Sequence, residues 1–198
     1  MKRIDQPQVR ACGLVKLCCI VRRYNWPTMD QALEVVVGNL AKQHNVFLAA
    51  AESCTGGLLS HLITNVPGSS DYFLGSVISY ANQAKIQMLG VKPETLAKFG
   101  AVSRETVLEM AHAVRQVFFA DIGVSVSGIA GPGGGVPGNP VGTVWIGLSV
   151  AEIDRAWCYQ FVGDRQEVKQ QAAEMTLKLL VEYLQPGLAG HIEPSLGG

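Results

Sequence analysis

Residues 131–142 read GPGGGVPGNPVG, six glycines and three prolines in twelve positions. No helix or strand tolerates that composition, because glycine has excess backbone entropy to lose and proline has no amide hydrogen to donate. Regular structure must stop near residue 130 and restart near 143, so the fold is decided by the elements on either side. Before the break, apolar residues at 32, 33, 36, 37, 40 and 41 trace a helical stripe, with Thr28 as its expected N-cap. VFLAAA (46–51) is a short continuous apolar run of the kind that makes a strand buried on both faces. GGLLSHLIT predicts a helix, GSVISYA (75–81) a second strand, and PETLAKF a short helix opened by Pro93. Ser103 is placed to cap a longer helix whose Val107, Met110, Ala111, Val114 and Phe118 share a face, and IGVSVSGIA (122–130) predicts a third strand.

After the break, TVWIGLSVA and AWCYQFV read as two strands joined by a turn around Asp154, close enough for an antiparallel hairpin. Asp164 then caps a final helix, with Glu167 three positions on to complete a capping box. Strands alternating with helices and closing in a hairpin predict an α/β fold, a three-layer α/β/α arrangement on a mixed, mostly parallel sheet. The expected organisation is one domain over residues 28–186. An unlike N-terminal extension precedes it over 1–27, with Met29 as an alternative start, and a flexible tail follows over 187–198.

Sixteen Lys plus Arg balance sixteen Asp plus Glu, with a pI of about 6.9, so no net field draws the chain to nucleic acid or to an anionic membrane. The early apolar stretch LVKLCCIV is interrupted by Lys16 and too short to span a bilayer. Asp5 and the lack of an A-x-A site argue against a secretory leader. Five cysteines without metal-ligand spacing read as reduced thiols of a cytoplasmic protein. Four scattered histidines (His44, His61, His112, His191) make no ligand cluster, so neither metal nor cofactor is expected.

Ligands of such sheets sit beyond the carboxyl ends of the strands. Three segments there carry unusual residues. AESCTGG (51–57) puts small hydroxyls and paired glycines at a helix start, where backbone N–H groups favour phosphate or carboxylate, although an N-cap packed closely by two glycines reads equally well. SGIAGPGGG (127–135) lacks both the dinucleotide fingerprint and the P-loop ending, yet still lets backbone donors approach a ligand. VPGSSDYFLGSVISYANQAK (66–85) offers paired serines in a glycine-led turn and, after an apolar run, Tyr80 and Lys85. Serine becomes a nucleophile only beside a base, and a lysine serves as one if burial keeps it neutral.

The motifs AESCTGG, PGSSDYF, VISYANQAKIQMLGV, GAVSRE, SGIAGPGGG, PVGTVWIG and GDR, in this order, resemble the CinA C-terminal domain family over residues 28–186. The family includes stand-alone nicotinamide-nucleotide amidases, and because the resemblance covers none of the large N-terminal domain of full-length CinA proteins, the stand-alone type is expected. The resemblance implies hydrolysis of the carboxamide of nicotinamide mononucleotide, releasing nicotinate mononucleotide and ammonia, in pyridine-nucleotide salvage. It places the family's catalytic serine on Ser70, its lysine on Lys85 and its helper tyrosine on Tyr80; a mechanism built on these residues would use backbone N–H groups near the Ser69–Ser70 turn to hold the oxyanion. It assigns substrate binding to Ser53, Ser127 and Arg165. The phosphate would then lie among the SCTGG turn (Ser53, Thr55, Gly56), the glycine-rich segment (Ser127, Gly128, Gly131) and Arg165. A homodimer is also implied.

One departure and one rival stand beside this assignment. Asn139 occupies a position where members commonly carry lysine. Ser53, at a strand-to-helix turn, is a rival nucleophile without an evident base. A non-catalytic nucleotide-binding or regulatory module, linked to competence or DNA damage, is the alternative function, and a serine peptidase or esterase using the same dyad is a third.

Overall fold

The computed structural model describes residues 31–185, so the expectations for the N-terminal extension, the Thr28 cap and the tail lie outside the described residues. The elements follow in the order α1 (Leu33–His44), β1 (Leu48–Glu52), α2 (Leu58–Thr64), β2 (Phe73–Ile78), α3 (Asn82–Leu89), α4 (Pro93–Phe99), α5 (Arg104–Phe118), β3 (Ile122–Gly128), β4 (Thr143–Ser149), β5 (Asp154–Gln160) and α6 (Arg165–Leu184). The sheet order is β2-β1-β3-β4-β5. β1 pairs parallel with both β2 and β3, while β4 runs antiparallel to β3 and to β5. Four strands thus share one direction and β4 alone opposes them, which is the mixed, mostly parallel sheet expected from the sequence.

Strand β1 lies inside the sheet and is buried at every position, and its small alanines let helices approach both faces. Leu48 and Ala50 join one apolar cluster with residues of α1, α2 and α6. Ala49 and Ala51 join another with Met110 and Val114 of α5 and Leu89 of α3. This period of two along one strand defines the three layers. Close approach on the α5 side depends on Gly147 of β4, where a Cβ would lie 2.5 Å from the carbonyl oxygen of Val107. On the other side α6 buries Val168, Ala172, Leu177, Leu180 and Val181, and its Asp164 and Glu167 form the capping box their spacing predicts. Ser103 likewise caps α5 by accepting from the Thr106 amide.

Helix α3 is the element the periodicity misses. Its only buried residues are Leu89 and Lys85, so a charged residue occupies an inward position and no apolar stripe forms.

Candidate active site

The parallel pairing of β1 with β2, in register at Glu52 and Ile78, brings the chain leaving β1 beside the chain leaving β2. Ser53 follows β1 directly and is held by its amide, which donates to the carbonyl of Val126 at 2.9 Å. Ser79, Tyr80 and Ala81 follow β2 and lead into α3, whose first turn carries Lys85. The result is a buried pair: Lys85 Nζ lies 3.0 Å from Ser53 Oγ, with Lys85 1% and Ser53 7% exposed.

Two more oxygens surround the lysine nitrogen, the carbonyls of Ser79 at 2.8 Å and Tyr80 at 3.4 Å. A neutral amine has two N–H donors and one lone pair. With the donors on the two carbonyls, the lone pair is left facing the Ser53 hydroxyl. Burial pushes the Lys85 ammonium below the usual lysine range, opposed only by the nearby Cys54. The adjacent Cys54 is buried too, and that burial pushes its thiol up to about 12, which removes it as a nucleophile near neutral pH.

The expected Ser70–Lys85 dyad is not formed. Ser70 sits in a 3-10 turn (Ser69–Asp71) before β2 and is exposed, whereas Lys85 lies beyond the other end of that strand. Six strand residues at about 3.3 Å each put about 20 Å between those ends. The Ser69–Ser70 turn is equally remote as an oxyanion site. Ser53, read from sequence as a rival nucleophile without a base, is the hydroxyl that Lys85 reaches.

Tyr80 is 59% exposed at the cleft mouth, and its hydroxyl accepts from Arg165 Nη2 at 2.7 Å rather than bridging serine and lysine. Arg165 Nη1 donates to the carbonyl of Gly131 at 2.7 Å, fastening the glycine-rich loop to the start of α6. Ser127 is buried, and its hydroxyl donates to the carbonyl of Ala101 at 2.7 Å. Gly128 leaves no space for a side chain, since a Cβ there would lie 2.7 Å from the carbonyl oxygen of Thr143. Ser53, Tyr80, Lys85, Ser127, Gly128 and Arg165 all line one open cavity of about 230 Å³. Asn139 reaches the same region, donating through Nδ2 to the carbonyl of Val102 at 3.0 Å.

Thr55 and Gly56 lie in the turn but do not line that cavity, and the Thr55 hydroxyl is buried without a partner. The expectation of free backbone donors at the start of α2 also fails. Glu52, fully buried, accepts from the amides of Gly57 (2.8 Å), Leu59 (3.2 Å) and Ser60 (2.9 Å) and from the Ser60 hydroxyl. The protein's own carboxylate thus occupies the place an anion would take. Glu52 escaped the sequence reading, although a lone acid ending the apolar strand VFLAAA, before paired glycines, was its visible signal.

Among the described residues no group of three or more His, Cys, Asp or Glu is arranged to hold a metal, and no helix is long and apolar enough to cross a membrane. Fold and site together define an α/β domain with a serine–lysine pair buried at the carboxyl edge of a mixed sheet. Comparison with known proteins makes this specific: residues 30–184 match the CinA C-terminal domain, and the chain belongs to that family. It is 48% identical over 155 residues to a CinA-like protein of Thermotoga maritima, covering 78% of this chain and 38% of that one. Against a CinA-like protein of Thermotoga neapolitana it is 47% identical over 161 residues, covering 81% and 39%. The chain therefore spans about two fifths of the length of these relatives.

Among solved structures, a competence or damage-inducible protein from Enterobacter asburiae superposes with a TM-score of 0.75 at 35% identity, covering 77% of this chain and 96% of that one. The competence damage-inducible protein A from Klebsiella pneumoniae gives 0.76 at 33% identity, covering 81% and 97%.

Proposed function

We propose that the domain is an amidohydrolase that converts nicotinamide mononucleotide to nicotinate mononucleotide and ammonia, serving pyridine-nucleotide salvage, with Ser53 and Lys85 as its dyad. The observation that carries this reading is the 3.0 Å contact between a buried serine hydroxyl and a buried lysine whose ammonium is disfavoured. In the first step neutral Lys85 takes the Ser53 proton as Oγ bonds to the carboxamide carbon. The resulting ammonium donates to Ser53 Oγ and to the Ser79 and Tyr80 carbonyls, three acceptors for three N–H groups. Collapse of the tetrahedral intermediate breaks the C–N bond. The Lys85 proton passes to the leaving nitrogen, which departs as ammonia. Water then attacks the acyl-enzyme, Lys85 accepting its proton and returning one to Ser53.

The test is ammonia release from nicotinamide mononucleotide in the presence of EDTA by wild type, Ser53→Ala, Lys85→Ala and Ser70→Ala. Release by wild type and Ser70→Ala, but not by the other two, is the expected result. Folded wild-type protein that binds the nucleotide without releasing ammonia would instead support a non-catalytic nucleotide-binding module.

A further inference from the structure

Six side chains lining the cavity carry a hydroxyl, an amide or a basic group: Ser53, Tyr80, Asn82, Lys85, Ser127 and Arg165. Five of them have a hydrogen-bond partner within the protein, through the Ser53–Lys85 contact, the Arg165–Tyr80 contact and the bond from Ser127 to the Ala101 carbonyl. The exposed carboxamide of Asn82 has none among the described residues. It does not hold its helix either: Asn82 is the first residue of α3, the cap position is Ala81, and no side chain caps that end. An amide with donor and acceptor both free, on the wall of a cavity that holds a buried serine–lysine pair, is available to a substrate and serves nothing else.

Asn82 and Lys85 are three residues apart in α3, so they share a face of that helix, one turn from each other. Given the amidase reading above, on which this step rests, Lys85 hands the serine's proton to the leaving nitrogen. That nitrogen must therefore come close to Lys85 Nζ, on the α3 side of the cavity. A carboxamide nitrogen carries two N–H donors that need acceptors there. Lys85 as an ammonium and Arg165 have only donors, Ser53 Oγ is bonding to carbon, and the cavity lining contains no carboxylate. The free acceptor on the α3 wall is Asn82 Oδ1.

We infer that Asn82 is the amide-recognising residue of this site: its Oδ1 accepts an N–H of the substrate carboxamide and holds the leaving nitrogen against Lys85. As Ser53 Oγ bonds to the carbon, that nitrogen pyramidalises and gains a lone pair. With one N–H fixed on Asn82, the lone pair turns toward the Lys85 ammonium, which protonates it as the C–N bond breaks. Ammonia leaves with two hydrogens from the carboxamide and one from Lys85, and Asn82 itself neither gains nor loses a proton. An ester presents no N–H to this acceptor, so Asn82 favours amides over esters of the same acid.

The experiment compares wild type, Asn82→Ala and Asn82→Asp on nicotinamide mononucleotide and on the methyl ester of nicotinate mononucleotide, and titrates both compounds calorimetrically into Ser53→Ala and Ser53→Ala/Asn82→Ala. Loss of one hydrogen bond predicts that Asn82→Ala lowers kcat/KM on the amide about tenfold and leaves that on the ester within about twofold. The urea midpoint stays unchanged, because this side chain bonds to nothing in the protein. Asn82→Asp keeps the acceptor and, on the high-pH plateau where Lys85 is neutral, recovers most of the amide rate. In the Ser53→Ala background, Asn82→Ala weakens binding of the amide severalfold and leaves the ester unchanged. Equal losses on amide and ester, or an Asn82→Asp rate no better than that of Asn82→Ala, would overturn the assignment while ammonia release by wild type leaves the amidase standing. Absence of ammonia release, with the amide-selective loss of affinity still present, refutes the amidase reading alone. A Ser53→Ala protein that binds neither compound overturns both.

Discussion

Replacing Glu52 by alanine should be among the most damaging single changes in the domain, and the structure gives the size of the loss. Its carboxylate accepts three backbone amides and one hydroxyl while itself 0% exposed. Alanine removes all four acceptor contacts. The Leu59 amide is stranded in a buried position, at about 1–3 kcal/mol, and the part-buried Gly57 and Ser60 donors add about 0.5–1 kcal/mol each. The total is about 2–5 kcal/mol, comparable with much of the stability of an ordinary domain. For a domain of this size it corresponds to about a 10 °C fall in Tm.

Glutamine keeps one acceptor oxygen but turns an NH2 toward N–H donors, so Glu52→Gln should lose about half as much. Ser60→Ala removes one hydroxyl donor to Glu52 and leaves the carboxylate's amide contacts in place, and should cost about 1 kcal/mol. Urea unfolding of the four proteins at constant m-value measures these differences. A Glu52→Ala loss under about 1 kcal/mol would refute the argument that this carboxylate holds the turn. Because Ser53 is the next residue, Glu52→Gln should also depress kcat more than it raises KM, the signature of a displaced nucleophile rather than a lost substrate contact.

Four further outcomes can be measured. Lys85 must be neutral to act as base, so kcat/KM should rise with pH through its lowered pKa and level off below 10.5, the usual lysine value, while Lys85→Arg should be inactive at every pH because guanidinium does not deprotonate. The same shift sets a stability sign. Between the lowered folded pKa and 10.5 the unfolded chain keeps a proton that the native chain has lost, so Lys85 makes stability rise with pH in that window, and Lys85→Met should flatten that rise in pH-dependent unfolding. Cys54, its thiol pushed up to about 12, should resist iodoacetamide in the native protein at pH 8 and react on unfolding, as peptide mass spectrometry would show; rapid native labelling would contradict its burial. Asn139→Ala frees the glycine-rich loop from the Val102 carbonyl, and should raise KM severalfold with kcat little changed, an equal fall in kcat showing that the tether serves more than binding.

The layers of this fold are legible in sequence because strand and helix periods are set by burial, and burial is what apolar patterning records. The site is legible only in part, and Ser70 shows why. Ser70 and Lys85 are fifteen positions apart, but β2 lies between them, and a strand is the one element that drives its ends apart at the full reach of the chain. Ser53 and Lys85 are thirty-two positions apart, yet they meet, because β1 and β2 run parallel in register and end at the same edge of the sheet. Separation in sequence therefore ranks the two serines wrongly, and separation counted in strand ends ranks them correctly: Ser53 and Lys85 both follow a carboxyl end, whereas Ser70 precedes an amino end. The same geometry hid α3. A lysine turned inward against that serine removes the apolar residue that would have completed the helical stripe, so the position that meets the serine is also the one that interrupts the pattern.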